Sequence, residues 1–144
     1  MKYLNLKTKF YFKKKTYNYL INAKNKILGR LSSIVIKLLI GKNLINYTPN
    51  FNFINKVIII NSKKIKLNKN KIKKKIYYKY TGYVGNKKKY TMKYLFNKNS
   101  NLIIKKSIFR MLPKNLLGKY AKKNLYIFEN KKHNLNLKLI NYNF

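Results

Sequence analysis

Apolar residues follow two different rhythms along this chain. From Arg30 to Ile40, residues Leu31, Ile34, Val35, Leu38 and Leu39 fall at the i, i+3, i+4, i+7 and i+8 positions of one helical stripe. Arg30, Ser33 and Lys37 occupy the other face, and Gly41 follows as a stop. Val57-Ile58-Ile59-Ile60 is instead an unbroken β-branched run, the pattern of a strand covered on both faces and therefore central in a sheet flanked by helices. With Tyr19–Asn22 as a first strand, the order strand, helix, strand predicts a parallel crossover of an α/β fold. Lys63 to Lys75 shows weak alternation and Asn-rich turns, after which Ile76–Tyr80 reads as a strand running into a Gly82–Asn86 loop. Thr91 is placed to cap a short helix through Asn97. Ser100 is placed to cap a second, in which Ile104, Ile108 and Met111 share a face until Pro113 ends it. Both helices are expected to pack on the sheet. A helical turn near Asn115–Lys122 leads to a last strand at Leu125–Phe128. The tail from Glu129 alternates Asn with Leu or Lys and is expected to order only on a partner.

Charge changes this picture from a generic α/β domain to one with a specific need. The 144 residues carry 36 Lys and Arg against a single acid, Glu129, for a formal charge of +35, yet 46% of them are hydrophobic. The charge therefore coats a globular domain, large enough to bury about two-thirds of its unfolded surface. Folding gathers these cations within a screening length of roughly 8 Å of one another, so a polyanion is the expected partner. All but two of the basic residues, Arg30 and Arg110, are lysine, and Lys, Asn, Ile, Tyr and Phe dominate the chain. These five have A- and T-rich codons, so codon drift contributes to the excess and its full size does not measure affinity. An AT-rich genome is expected.

Several function classes drop out. Cysteine is absent, which removes disulfides, thiolate zinc sites and cysteine nucleophiles. Ile34–Ile40 is too short, and too interrupted by Lys37, to span a membrane. The first 19 residues are basic and acid-free like a matrix-targeting peptide, but lack Arg and Ala and hold aromatics throughout, so a cleaved presequence is disfavoured. Acid–base chemistry would rest on Glu129 or His133 without a second carboxylate, and no G-x-x-x-x-G-K loop occurs. No catalytic residue, metal, cofactor or small-molecule substrate is expected.

Short segments in fixed order then resemble one family, the universal ribosomal protein thirteen of the large subunit in its bacterial and organellar form. They are Ile21-Asn-Ala23, Leu28-Gly-Arg-Leu31 with Ser-Ser33, Gly41-Lys42, Tyr47-Thr-Pro49, Val57-Ile-Ile-Ile-Asn61, Lys64-Ile65, Tyr77-Tyr78, Thr81-Gly-Tyr83, Met111-Leu-Pro-Lys-Asn115 and Leu117-Gly118. The match is collinear from Tyr19 to His133. It implies a three-layer α/β/α fold with a central, mainly parallel sheet, and a structural role in binding and organising large-subunit rRNA beside neighbouring ribosomal proteins. The expected organisation is a basic N-terminal extension (1–18), one α/β rRNA-binding domain (19–128) and a basic C-terminal tail (129–144). The expected location is a mitochondrial or plastid ribosome, alternatively that of an AT-rich bacterium. The chain departs from the family at Val84 and Asn86, where Pro and Gly are usual, at Asn52 and Asn55, where aspartates are common, and before His133, where a proline is missing. His133 is read as solvated or RNA-facing.

Candidate RNA-contacting residues follow from their chemistry. Arg30, Lys37 and Lys42 lie on or after the first helix, and the planar fork of Arg30 suits a bidentate phosphate contact or stacking, set against a plain surface charge. The richest segment interleaves aromatic and ammonium groups beside glycines that let RNA backbone approach, through Tyr77, Lys79, Thr81, Gly82, Tyr83, Gly85, Lys87, Lys88 and Lys89. Tyr77 is expected to face out, with Tyr78 and Tyr80 free to pack. Arg110, Lys114, Asn115 and Lys119 complete the set, Asn115 being equally suited to capping a helix. A DNA-compacting protein is the alternative class, and a cationic membrane-surface protein the third.

Overall fold

The computed structural model describes residues 16–45, 47–49 and 54–144. Most of the expected N-terminal extension, and Asn52, lie outside them. The chain runs β1 (Asn18–Asn22), α1 (Leu28–Ile40), β2 (Lys56–Ile60), a 3-10 turn (Ser62–Lys64), α2 (Lys69–Lys74), β3 (Ile76–Tyr80), β4 (Lys87–Thr91), α3 (Met92–Lys98), α4 (Ser100–Met111), α5 (Leu116–Lys123), β5 (Leu125–Ile127) and β6 (Ile140–Asn141). Four strands form a parallel sheet in the order β5-β2-β1-β6, and β3 and β4 form a separate antiparallel hairpin. Helices flank the sheet, as a three-layer α/β/α fold requires.

The β-branched run occupies the interior of this sheet. Tyr19, Ile21, Val57 and Ile59 share one buried cluster with Leu31, Val35, Leu38 and Leu39 of α1, Ile104 and Ile108 of α4, and Ala121 of α5. Ile58 and Ile60, at the alternate positions, are buried too, so β2 is covered on both faces. The order β1, β2, β5 steps across the sheet in one direction, whereas the connection from β5 to β6 must return across it. Right-handed crossovers put that return on the face opposite α1.

The returning segment corrects the expectation for the tail. His133, Leu135, Leu137 and Leu139 are half-buried while Asn134, Asn136 and Lys138 are exposed, a period of two. Ile140–Asn141 then pairs with β1, and the Tyr142 N–H donates to the Leu20 carbonyl at 2.9 Å. The tail is thus placed on the domain without a partner. Three leucines among Asn and Lys were too thin a signal to separate it from a solvated extension.

The starts of α2 to α5 are set by three asparagines and a threonine. Asn68, Thr91, Asn99 and Asn115 each accept a first-turn backbone N–H on the side-chain oxygen, capping α2, α3, α4 and α5. Asn99, not Ser100, is therefore the cap of α4, and the Ser100 hydroxyl is buried against that of Ser62 at 2.7 Å. Met111 is half exposed and Leu112 takes the buried place expected of it. On α1 the buried stripe includes Ser32 where Ile34 was expected. The Ser32 hydroxyl donates to the Leu28 carbonyl and is hydrogen-bonded to the Ser107 hydroxyl, both at 2.8 Å, so a small polar residue lets α1 and α4 approach closely. Asn55 is fully buried, donating to the Leu38 carbonyl at 3.0 Å near the end of α1. A carboxylate could not make that donation, so asparagine here has a structural use. His133 is half-buried against Phe128, ring centroids 5.8 Å apart, rather than solvated.

Gly118 fixes the turn between α4 and α5. A Cβ added there would come 1.9 Å from the Pro113 carbonyl oxygen. Gly118→Ala is expected to push the Pro113–Asn115 turn away and to cost about 1–3 kcal/mol, the usual range for overpacking. Denaturant unfolding in 1 M salt, where self-repulsion is screened, would measure this loss; unchanged stability would show that the turn yields freely.

Candidate nucleic-acid interface

Hairpin register decides which side chains of the aromatic and basic segment share a face. Ile76 pairs with Thr91, Tyr77 with Tyr90, Tyr78 with Lys89, Lys79 with Lys88 and Tyr80 with Lys87. Side chains alternate, so Tyr78, Tyr80, Lys87 and Lys89 lie on one face and Tyr77, Tyr90, Lys79 and Lys88 on the other. Near the base of the second face, Tyr77 packs with Met92, Leu95 and Ile103, and Tyr90 against that cluster. This reverses the expectation for the tyrosines. Tyr77 is only 2% exposed and is part of the hairpin's own core, whereas Tyr80 is 70% exposed and Tyr78 nearly half. Burial also raises the Tyr77 phenol above its usual value, an effect Arg110 partly offsets. The signal that could have corrected this is parity, since Met92 and Leu95 follow immediately and need an apolar partner.

Lys87, Lys88 and Lys89, which follow the expected Gly82–Asn86 loop, begin strand β4. A run of lysines has no alternation to read, and its extended form comes from pairing with β3. On the outer face Lys87 Nζ stands 4.0 Å from the Tyr78 ring centroid and 5.7 Å from that of Tyr80, a cation held over two aromatic faces. On the other face Lys79 and Lys88 are directly opposed and both exposed, a like-charge pair that destabilises a hairpin. At the tip Gly82 and Gly85 have positive φ, Thr81 Oγ1 donates to the Asn86 carbonyl at 3.4 Å, and Tyr83 is 81% exposed. The tip thus presents a bare ring and small backbone, the surface on which a base stacks and a phosphate approaches.

The remaining candidates lie on three other surfaces. Arg30 is exposed in the first turn of α1, where the Ile27 position supplies no side-chain cap and no acid balances the helix terminus. Lys37 is exposed in the last turn of α1, and its carbonyl accepts the Lys42 N–H at 2.9 Å across Gly41, whose φ is 82°. Lys42 lines a groove of about 410 Å³ together with Tyr47, Pro49, Met111, Pro113 and Asn115. Lys114 and Lys119 are exposed beside this turn. The Asn115 side-chain oxygen accepts the Gly118 N–H at 2.8 Å, so that atom serves the cap of α5. Arg110 sits with its guanidinium carbon 5.3 Å from the Tyr77 ring centroid.

Carboxylates do not compete for these cations. The single acidic side chain, Glu129, pairs with Lys63 at 2.6 Å. Among the described residues no group of His, Cys, Asp or Glu could hold a metal ion, and no helix is long and apolar enough to cross a membrane.

Comparison with known proteins bears on this surface. Residues 15–134 match the family model described as Ribosomal protein L13. The chain is 48% identical over 116 residues to the large ribosomal subunit protein uL13 of Wigglesworthia glossinidia brevipalpis, spanning 81% of this chain and 82% of that one. It is 49% identical over 117 residues to the protein of the same name from Buchnera aphidicola, with 81% and 82% covered. The protein of that name from Thermosipho africanus is 43% identical over 115 residues, with 80% and 77% covered.

The two neighbouring tyrosines should behave oppositely on truncation. Tyr77→Ala empties the hairpin core and is expected to cost about 3 kcal/mol or more. Tyr78→Ala should stay within roughly 0.5 kcal/mol, as for other surface changes. Denaturant midpoints of the two variants check this; equal losses would contradict the assigned faces.

Proposed function

The chain belongs to the ribosomal protein L13 family, a structural class of large-subunit constituents, and on that premise we propose that it binds and organises large-subunit rRNA through its hairpin and the basic turns around it. The observation that carries this reading is the opposed pair Lys79 and Lys88 on one face of a hairpin that exposes Tyr78 and Tyr80 on its other face and Tyr83 at its tip. Two ammonium groups held face to face cost stability in the free chain, and a phosphate between them turns the repulsion into two charge-assisted contacts. Exposed tyrosines on the other face and at the tip add stacking, which tolerates any base.

Arg30, Lys37, Lys42, Arg110, Lys114 and Lys119 extend the contact to other sides of the domain, as a protein wrapped by folded RNA requires. Asn115 acts by shaping the turn that carries Lys114. Neighbouring ribosomal proteins are the other partners. The chain works by scaffolding, without catalysis. The relatives named above are bacterial, which supports a bacterial-type ribosome. A mitochondrial or plastid ribosome is the location we favour, with the cytoplasm of an AT-rich bacterium as the alternative.

Sedimentation of native lysate through sucrose after a high-salt wash tests the reading. The chain is expected to co-migrate with the large subunit, and recovery free or with DNA would contradict it. Arg30→Ala, and Lys87, Lys88 and Lys89 all changed to Ala, should each reduce incorporation while leaving the melting temperature close to wild type. A parallel loss of melting temperature and incorporation would instead make these residues structural.

A further inference from the structure

Three cations from two parts of the chain converge on one buried ring. Lys75 Nζ, Lys106 Nζ and the Arg110 guanidinium carbon lie 5.4, 5.1 and 5.3 Å from the centroid of Tyr77. Common distance to one point holds them within about a Debye length of one another, on the order of 10 Å at 0.1 M salt. A single ring offers each cation only a modest attraction. Lys106 and Arg110 are also four apart on α4, a spacing at which like charges destabilise a helix. The chain's only carboxylate side chain is occupied elsewhere, by Lys63.

The backbone and the ring that carry the cluster are fixed by the fold. The Lys75 N–H donates to the Lys71 carbonyl at 2.9 Å, and the Lys75 carbonyl accepts the Met92 N–H at 2.9 Å, so its backbone is pinned on both sides. Tyr77 is locked among Met92, Leu95 and Ile103. Attraction to the C-terminal ends of α4 and α2 accounts for Arg110 and Lys75 separately, but not for Lys106 or for the meeting of all three at one ring. A second ring extends the surface. Lys105 and Lys122 stand 5.5 and 5.3 Å from the Phe109 centroid, and Leu102, Lys105, Lys106, Phe109 and Arg110 line a depression of about 410 Å³ on α4.

We propose that Lys75, Lys106 and Arg110 form a single phosphate-binding site for the RNA backbone, seated over Tyr77 and distinct from the hairpin tip. This rests on the rRNA-binding reading above and adds residues to it: Lys75 and Lys106 stand out only once the fold brings them to Arg110. Because Tyr77 shares a hairpin face with Lys79 and Lys88, RNA held at the α4 cluster is led toward the opposed lysines. One phosphate takes the guanidinium fork and the two ammonium groups together, replacing mutual repulsion by shared attraction.

The test measures binding of a large-subunit rRNA fragment by the full chain over a series of salt concentrations, alongside melting temperature. Compared are wild type, K106Q/R110Q, and K93Q/K98Q, which removes the same charge from exposed positions on α3. K106Q/R110Q is expected to weaken binding at 0.1 M salt about 10-fold more than K93Q/K98Q. Its salt slope should fall by roughly 0.7–0.9, the loss of one phosphate contact. It should also melt no lower than wild type, because repulsion is relieved. K75Q provides a second variant on another element, expected to weaken binding in the same direction. Equal effects of the two double variants would overturn the site while leaving rRNA binding intact. Salt-independent or absent binding by the wild type would overturn the underlying functional reading instead.

Discussion

The ion pair of Lys63 with Glu129 uses the only acidic side chain the sequence contains, Lys26 Nζ donates to an oxygen of the terminal residue Phe144, and the other cations are left to find their counter-charge outside the chain. That constraint governs where charge can be placed. Apolar contacts must close the fold against self-repulsion, so the core is built from aliphatic residues that need no charge partner: Ile21, Val57 and Ile59 on the sheet, with Leu31, Val35, Ile104 and Ile108 packed over them. The polar atoms that do enter the interior are neutral. Among the described residues Ser32, Ser62, Ser100 and Asn55 are buried, and each is hydrogen-bonded. Asparagine and threonine also cap the helices, where acids would ordinarily serve both the cap and the dipole.

Excluded from the core, the cations gather on ridges that the fold holds open. The hairpin projects from the sheet domain and packs only its base, through Tyr77 and Tyr90, on α3 and α4. Its distal half is left to Lys79, Lys88, Lys87 and the tyrosines. In both the hairpin and the α4 cluster the cations lie over or beside aromatic rings, which tolerate positive charge without neutralising it. In the binding we propose, phosphate relieves the repulsion at these surfaces and so couples folding of the domain to its place in an RNA particle.

The strands and helices with strong periodicity were legible in the sequence. Val57–Ile60 could only be a central strand, and the Leu31 to Leu39 stripe only a helix against it. Where lysine and asparagine dominate, periodicity vanishes and tertiary context decides: α2 holds a single half-buried apolar residue, Ile72, and β4 is extended because β3 pairs with it. Candidate residues were legible by chemistry and illegible by facing. Tyr77 and Tyr78 are identical side chains one residue apart, and only the register with Tyr90 and the packing of Met92 separate a core ring from a surface ring. Lys75 and Lys106 could not be selected among so many lysines, since their distinction is spatial.

Thermal unfolding of the isolated chain across salt concentration, with and without an equimolar large-subunit rRNA fragment, tests the dependence on external counter-charge most directly. The melting temperature should rise from low to moderate salt as repulsion is screened, and rise further at low salt when the rRNA is added. A melting temperature indifferent to both would show that the +35 charge places no strain on the fold, and would contradict this account.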